Sequence, residues 1–171
     1  LSIQKQLVER FLKQIKGEKD LISLLEVCSV LRNFNQDILS YIIGKEITIA
    51  FNQLLKYSFC KPIEIGKFKL HDTFRSFLEK DFKSRAPYKW KNYHLKAIEF
   101  HEIKIKQEPA HHKSWQNLTL EKYYHSLYVN EKNTLDLFKI EFGNYSGSML
   151  KKYCLPIFDL FERFLKEEKN I

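Results

Sequence analysis

Apolar side chains recur every three or four positions through most of this chain, and the places where that period fails mark the ends of its elements. Ile3, Leu7, Val8, Phe11, Leu12 and Ile15 stand at helical spacing and stop before Gly17. A second helix is predicted over residues 19–32, with Leu21, Leu24, Leu25, Cys28 and Leu31 as its core stripe. Asn33-Phe34-Asn35 breaks it, and Asn35 is placed to cap a third helix over residues 38–43 that Gly44 ends. A fourth, over residues 47–57, buries Phe51, Leu54 and Leu55. The period then changes: residues 58–65 and 67–70 read as two short strands around Gly66. Asp72 or Thr73 can cap the next helix, whose Phe74, Phe77, Leu78 and Phe82 share one face. Three helices, a two-stranded ribbon and a further helix describe a winged-helix domain over residues 20–85, with residues 1–19 as a linker helix from an upstream domain.

Ala86-Pro87 marks the expected boundary, and residues 86–171 read as an antiparallel helical array. Its helices are predicted over residues 88–107, 118–129, 131–142 and 146–169, with Glu108-Pro109-Ala110-His111-His112 as a connector and Asn130 and Asn144 at the breaks. A tetratricopeptide-like solenoid is suggested, but no repeat recurs at a fixed period. The fold class is therefore mainly α, with a small two-stranded β wing.

Composition sharpens this reading. With 44% hydrophobic residues, 14 Phe and 9 Tyr, the chain has enough apolar surface to fold. Core packing accounts for most of Tyr123, Tyr124, Tyr128, Phe138, Phe142, Tyr145 and Tyr153, although some could line a concave recognition surface. Three widely spaced cysteines, with no Cys-x-x-Cys pair, fit a reducing, cytoplasmic setting. No run approaches the ~20 apolar residues of a membrane span. The chain starts on Leu without a signal-like segment, so we expect a soluble piece of a longer polypeptide. The net charge of +8 is concentrated in residues 61–113, where thirteen Lys/Arg face seven acids. A basic middle suits nucleic acid, an acidic partner or nucleotide phosphates, and equally a solvated face.

Little in the sequence points to catalysis. Gly143-Asn144-Tyr145-Ser146-Gly147 has two glycines but no following Lys-Ser/Thr, so it reads as a helix–helix turn and not a phosphate loop. His111-His112 lacks a third metal ligand at useful spacing and reads as a mobile surface turn. His94, His101 and His125 fall on helices beside Tyr and Phe, as core-edge residues that hydrogen-bond locally. No enzymatic activity, metal or cofactor is expected of this chain by itself. A DNA-binding alternative would put the helix of residues 47–57 in the major groove. Asn52 and Gln53 would then read base edges with Thr48 and Lys56 beside them, and Lys61, Lys67 and Lys69 on the wing would meet phosphates. Glu46 opposes that placement, so DNA is not the favoured partner.

The order of the pieces resembles the winged helix of STAND-class signalling ATPases, the NB-ARC and AP-ATPase group. Leu24-Leu25-Glu26-Val27-Cys28-Ser29-Val30-Leu31-Arg32-Asn33-Phe34-Asn35-Gln36-Asp37-Ile38-Leu39 looks like its start. Phe51-Asn52-Gln53-Leu54-Leu55-Lys56-Tyr57-Ser58-Phe59 looks like its third helix and first strand, and Leu70-His71-Asp72-Thr73-Phe74-Arg75-Ser76-Phe77-Leu78 like its closing Met-His-Asp motif, with Leu70 in place of Met. The resemblance spans roughly residues 21–101. It implies that His71 contacts the β-phosphate of ADP in an intact parent whose upstream nucleotide-binding domain supplies the phosphate loop missing here. It also implies a helical sensor region that meets a protein or small-molecule effector, in a bacterial regulator. Two alternatives stand beside it: a winged-helix transcription factor that dimerises through its carboxy-terminal helices, and a helical protein-interaction module.

Overall fold

The first apolar stripe forms α1 (Ile3–Gln14), and the second, α2 (Lys19–Val30), becomes the centre of the structure's first unit. The computed structural model describes residues 3–169; the ends of the expected linker and helical array (Leu1, Ser2, Asn170 and Ile171) and the side chains of Ile3, Gln4, Lys5, Leu7, Leu150, Glu168 and Lys169 lie outside what is described. Leu21 and every residue from Leu24 to Val30 are buried, as required of a helix surrounded by other elements. Packed on it are α3 (Gln36–Ile43), α4 (Thr48–Leu54) and α5 (Asp72–Arg85).

Local chemistry sets the joints. Asn35 Oδ1 accepts the Ile38 amide at 3.1 Å, capping α3 as the sequence predicts. Gly44 ends that helix in the left-handed region (φ 79°), with its N–H bonded to Ser40 O at 2.7 Å. The fourth helix is shorter than expected. After Leu55 the hydrogen bonds step back three residues instead of four, Lys56 N to Gln53 O and Tyr57 N to Leu54 O, so Lys56 stands in a tight turn beyond α4.

Strands β1 (Cys60–Glu64) and β2 (Lys67–Leu70) pair antiparallel around Gly66 (φ 71°), with an irregularity between Pro62 and Glu64. Cys60 lies opposite Leu70 and Lys61 opposite Lys69. On the other edge of β2, Phe34 and Phe68 exchange both backbone hydrogen bonds at 2.8 Å. Phe34 therefore does more than end a helix: it adds a one-residue bridge to the sheet edge.

The division into two units falls inside α6 (Pro87–Gln107), one unit reaching to Tyr93 and the other beginning at His94. The second unit continues with α7 (Lys113–Val129), α8 (Glu131–Phe142), the short α9 (Gly147–Met149), a π-helical turn (Leu150–Cys154) and α10 (Leu155–Lys169). Its core joins Tyr123, Phe138 and Phe142 to Tyr153, Ile157, Leu160, Phe161 and Phe164. The π turn has a local cause. Pro156 has no amide to offer the Lys152 carbonyl, and wider bonding lets the helix pass that defect. The described residues are thus mainly helical, with one two-stranded antiparallel sheet, and none of their helices is long and apolar enough to cross a membrane.

Candidate functional site

His71 sits where β2 hands over to α5. Its N–H donates to Phe59 O at 2.7 Å and its carbonyl accepts from Arg75 N at 2.9 Å, so the backbone is held on both sides while the side chain stays exposed. The expected side-chain cap is absent: His71 is the N-cap residue, and no side chain accepts an amide there. Asp72 lies in the first turn, and its carboxylate meets Lys69 Nζ at 3.4 Å instead. A carboxylate in that turn still favours the helix dipole.

The imidazole borders a cleft of about 450 Å³. Val8, Phe59, Phe74 and Phe77 give it apolar walls, and Ser58, Lys61, His71 and Thr73 add polar groups. Behind the walls the aromatic rings form a ladder. Phe59 stacks on Phe74 at 4.0 Å and on Tyr57 at 5.1 Å, and Phe11 presents its edge to all three. Such packing fixes the cleft's walls before any ligand arrives. Lys61 forms no ion pair among the described residues, leaving its charge available to an anion. A cation, an imidazole and two hydroxyls beside apolar walls suit an anionic group.

The residues of the DNA-reading alternative are placed less favourably. Gln53 donates to Glu18, and Thr48 is engaged by Gln36 and Glu46. Hydrogen bonds from Thr48, first from its side chain and then its amide, hold the Glu46 carboxyl below its usual range and keep a negative charge at the start of α4. Asn52 and Lys56 are exposed, but Lys67 pairs with Glu64 at 2.9 Å and Lys69 with Asp72. Of these seven expected positions, only Lys61 joins His71 at the cleft.

Other sequence candidates turn out to be packed. His94 and His125 are fully buried with their Nδ1 atoms 2.9 Å apart, and His101 stacks on His125 at 5.8 Å. These are core residues, deeper than the core edge expected for them. His111 and His112 lie in a turn, with His112 exposed and His111 half-buried: Tyr153 and Trp115 lie 4.9 and 5.3 Å from the His111 ring, and its carbonyl accepts from Gln116 at 2.9 Å. Tyr123, Tyr124, Phe138, Phe142 and Tyr153 are buried, with Tyr128 and Tyr145 packed against them, so they form a core and not a recognition surface. Among the described residues no three His, Cys, Asp or Glu side chains could hold a metal ion. Burial pushes the Cys60 thiol up to about 11 and raises Cys28 well above its ordinary value, with the nearby Cys60 charge adding to the latter. Sequence reasoning missed the cleft itself, whose residues come from α1, the turn before β1, β1 and α5; no local periodicity signals that convergence. No protein-family model matches the chain, and neither a curated protein nor a solved structure matches it.

Proposed function

We propose that this chain is a non-catalytic regulatory segment of a STAND-type signalling ATPase or transcriptional regulator. In this reading the first unit is a winged helix that senses nucleotide state, and the second carries a surface for a protein or small-molecule effector. The observation that carries the reading is His71, with its backbone fixed at a strand–helix junction and its exposed imidazole beside Lys61. Further support comes from the order α2, Phe34 bridge, α3, α4, β1, β2, α5, which is compatible with a winged helix. A bound ADP in the intact parent would accept a hydrogen bond from His71, and loss or exchange of the nucleotide would remove that differential contact and release the winged helix. The ATPase chemistry would belong to the upstream nucleotide-binding domain, with ADP or ATP as its ligand.

DNA recognition draws less support, because Gln53 and Thr48 are engaged within the protein and Glu46 carries a negative charge beside them. The test is nucleotide content. The full-length parent is purified natively, denatured, and its nucleotides separated by ion exchange. We expect near-stoichiometric ADP in the wild type, and loss of ADP with raised basal output in His71→Ala. Unchanged retention and output in that variant would overturn the proposal.

A further inference from the structure

The hairpin register sets two ammonium groups opposite one another. Lys61 pairs with Lys69 across β1 and β2, and side chains of directly paired residues share a sheet face, where like charges repel. Asp72 answers Lys69 at 3.4 Å, whereas Lys61 forms no ion pair among the described residues. That face is therefore short of one negative charge. The His71 amide donates to Phe59 O and so continues the same register, which brings Phe59 and His71 beside Lys61 at the cleft. Ser58, Lys61, His71 and Thr73 are all exposed, within reach of a ligand, and each can donate a hydrogen bond. No carboxylate lines the cleft among the described residues.

The apolar walls agree in sign with these donors. Phe59 is stacked on both Tyr57 and Phe74, so its ring faces are taken and its edge, the electropositive part of an aromatic ring, is what it can offer. Phe74 and Phe77 are only half-buried and leave ring surface in contact with water. From this arrangement we propose that the cleft binds an aryl carboxylate, a fused two-ring body carrying one carboxylate on a short arm. The carboxylate lies against the Lys61 ammonium and accepts from His71 and the hydroxyls. The ring system covers Phe74 and Phe77 and takes the Phe59 edge on its own face. A cleft of about 450 Å³ lies within the usual range of small-molecule sites and is roughly three times the ~150 Å³ that admits benzene, so two rings and a carboxylate fit. Lys61 opposes an amine, a bare inorganic anion leaves the rings wet, and an alkyl chain forgoes the edge-to-face contact. The site lies wholly in the first unit and stands whether or not His71 also meets ADP in an intact parent.

The ¹⁵N-labelled chain is titrated with sodium 1-naphthylacetate, and in parallel with 2-(1-naphthyl)ethanol, 1-naphthylmethylamine, sodium decanoate and sodium acetate. A ligand of this size should bind with a dissociation constant on the order of 0.5 mM. The expected result is a saturable shift of the Phe59, Lys61, His71 and Phe74 amides, while those of α7 and α8 in the second unit stay in place as an internal control. Naphthylacetate should bind at least fivefold more tightly than any of the other four. Lys61→Gln keeps most of the stem and removes the charge, so it should weaken naphthylacetate about fivefold and leave naphthylethanol unchanged. Because it also relieves the repulsion with Lys69, its urea midpoint should be no lower than that of the wild type. The proposal is overturned if no saturable shift occurs, or if the second unit shifts in parallel. It also fails if the alcohol or decanoate binds as tightly as naphthylacetate, or if Lys61→Gln retains wild-type affinity. Binding is read on this chain alone and ADP content on the intact parent, so either reading can fall without the other.

Discussion

Replacing Glu26 with Gln removes one charge from the most buried helix of the first unit. The carboxylate is 8% exposed and accepts from Lys89 Nζ at 2.7 Å and Arg85 Nη2 at 3.0 Å, so α2 is tied to the end of α5 and the start of α6. Hydrogen bonds to charged groups contribute ~1.5–3 kcal/mol each. Here the figure must be discounted, because the Arg85 and Lys89 side chains are 53% and 47% exposed and return to water when released. Glutamine also keeps the shape and part of the bonding. The net loss should be about 2 kcal/mol, which for a unit of this size lowers the melting temperature by ~8–16 °C. Urea unfolding in a Trp115→Phe background, followed by Trp90 fluorescence, reads this unit alone. The expected result is a lower midpoint with an unchanged denaturant slope. An unchanged midpoint, or a Glu26→Gln/Lys89→Met cycle without coupling, would refute the reasoning.

Three further outcomes follow from the same physics. Burial holds the Cys60 thiol at about 11 against an ordinary 9.0, so the unfolded chain ionises first as pH rises. Stability should therefore be insensitive to this group below pH 9 and fall between about 9 and 11, with that component absent in Cys60→Ala melts. At Gly44 (φ 79°) an alanine would have no steric clash but would occupy left-handed backbone, so Gly44→Ala should cost ~1–2 kcal/mol by chemical denaturation. His94→Phe keeps a ring of similar size but removes the 2.9 Å bond to His125, and should cost ~1–3 kcal/mol by urea unfolding followed at Trp115.

The first unit was largely legible because its joints are punctuated locally. Asn35, Gly44 and Gly66 each impose backbone geometry or hydrogen bonding that can be read one residue at a time. The start of α7 was not, since Lys113-Ser114-Trp115-Gln116-Asn117 has no apolar period and its helical state depends on Trp115 packing near His111 and Tyr153. The π turn was hidden for a different reason: a proline one residue into a helix normally signals its beginning, yet here the helix runs through Pro156. For the site, sequence order singled out His71, while its neighbourhood with Lys61 and the aromatic ladder required the hairpin register and the packing of α1. The His94–His125 pair was equally out of reach, because two helical patterns do not reveal which imidazoles will face one another.

The Phe34–Phe68 bridge also bears on how the first unit comes together. Its helices can form from neighbours in sequence, but these two amides find their carbonyls only after all of α3, α4 and β1 has looped back. Closing such a loop sacrifices chain entropy before any bond compensates for it. Assembly of this unit therefore depends on the meeting of distant partners, this pair among them, and not only on the winding of its helices.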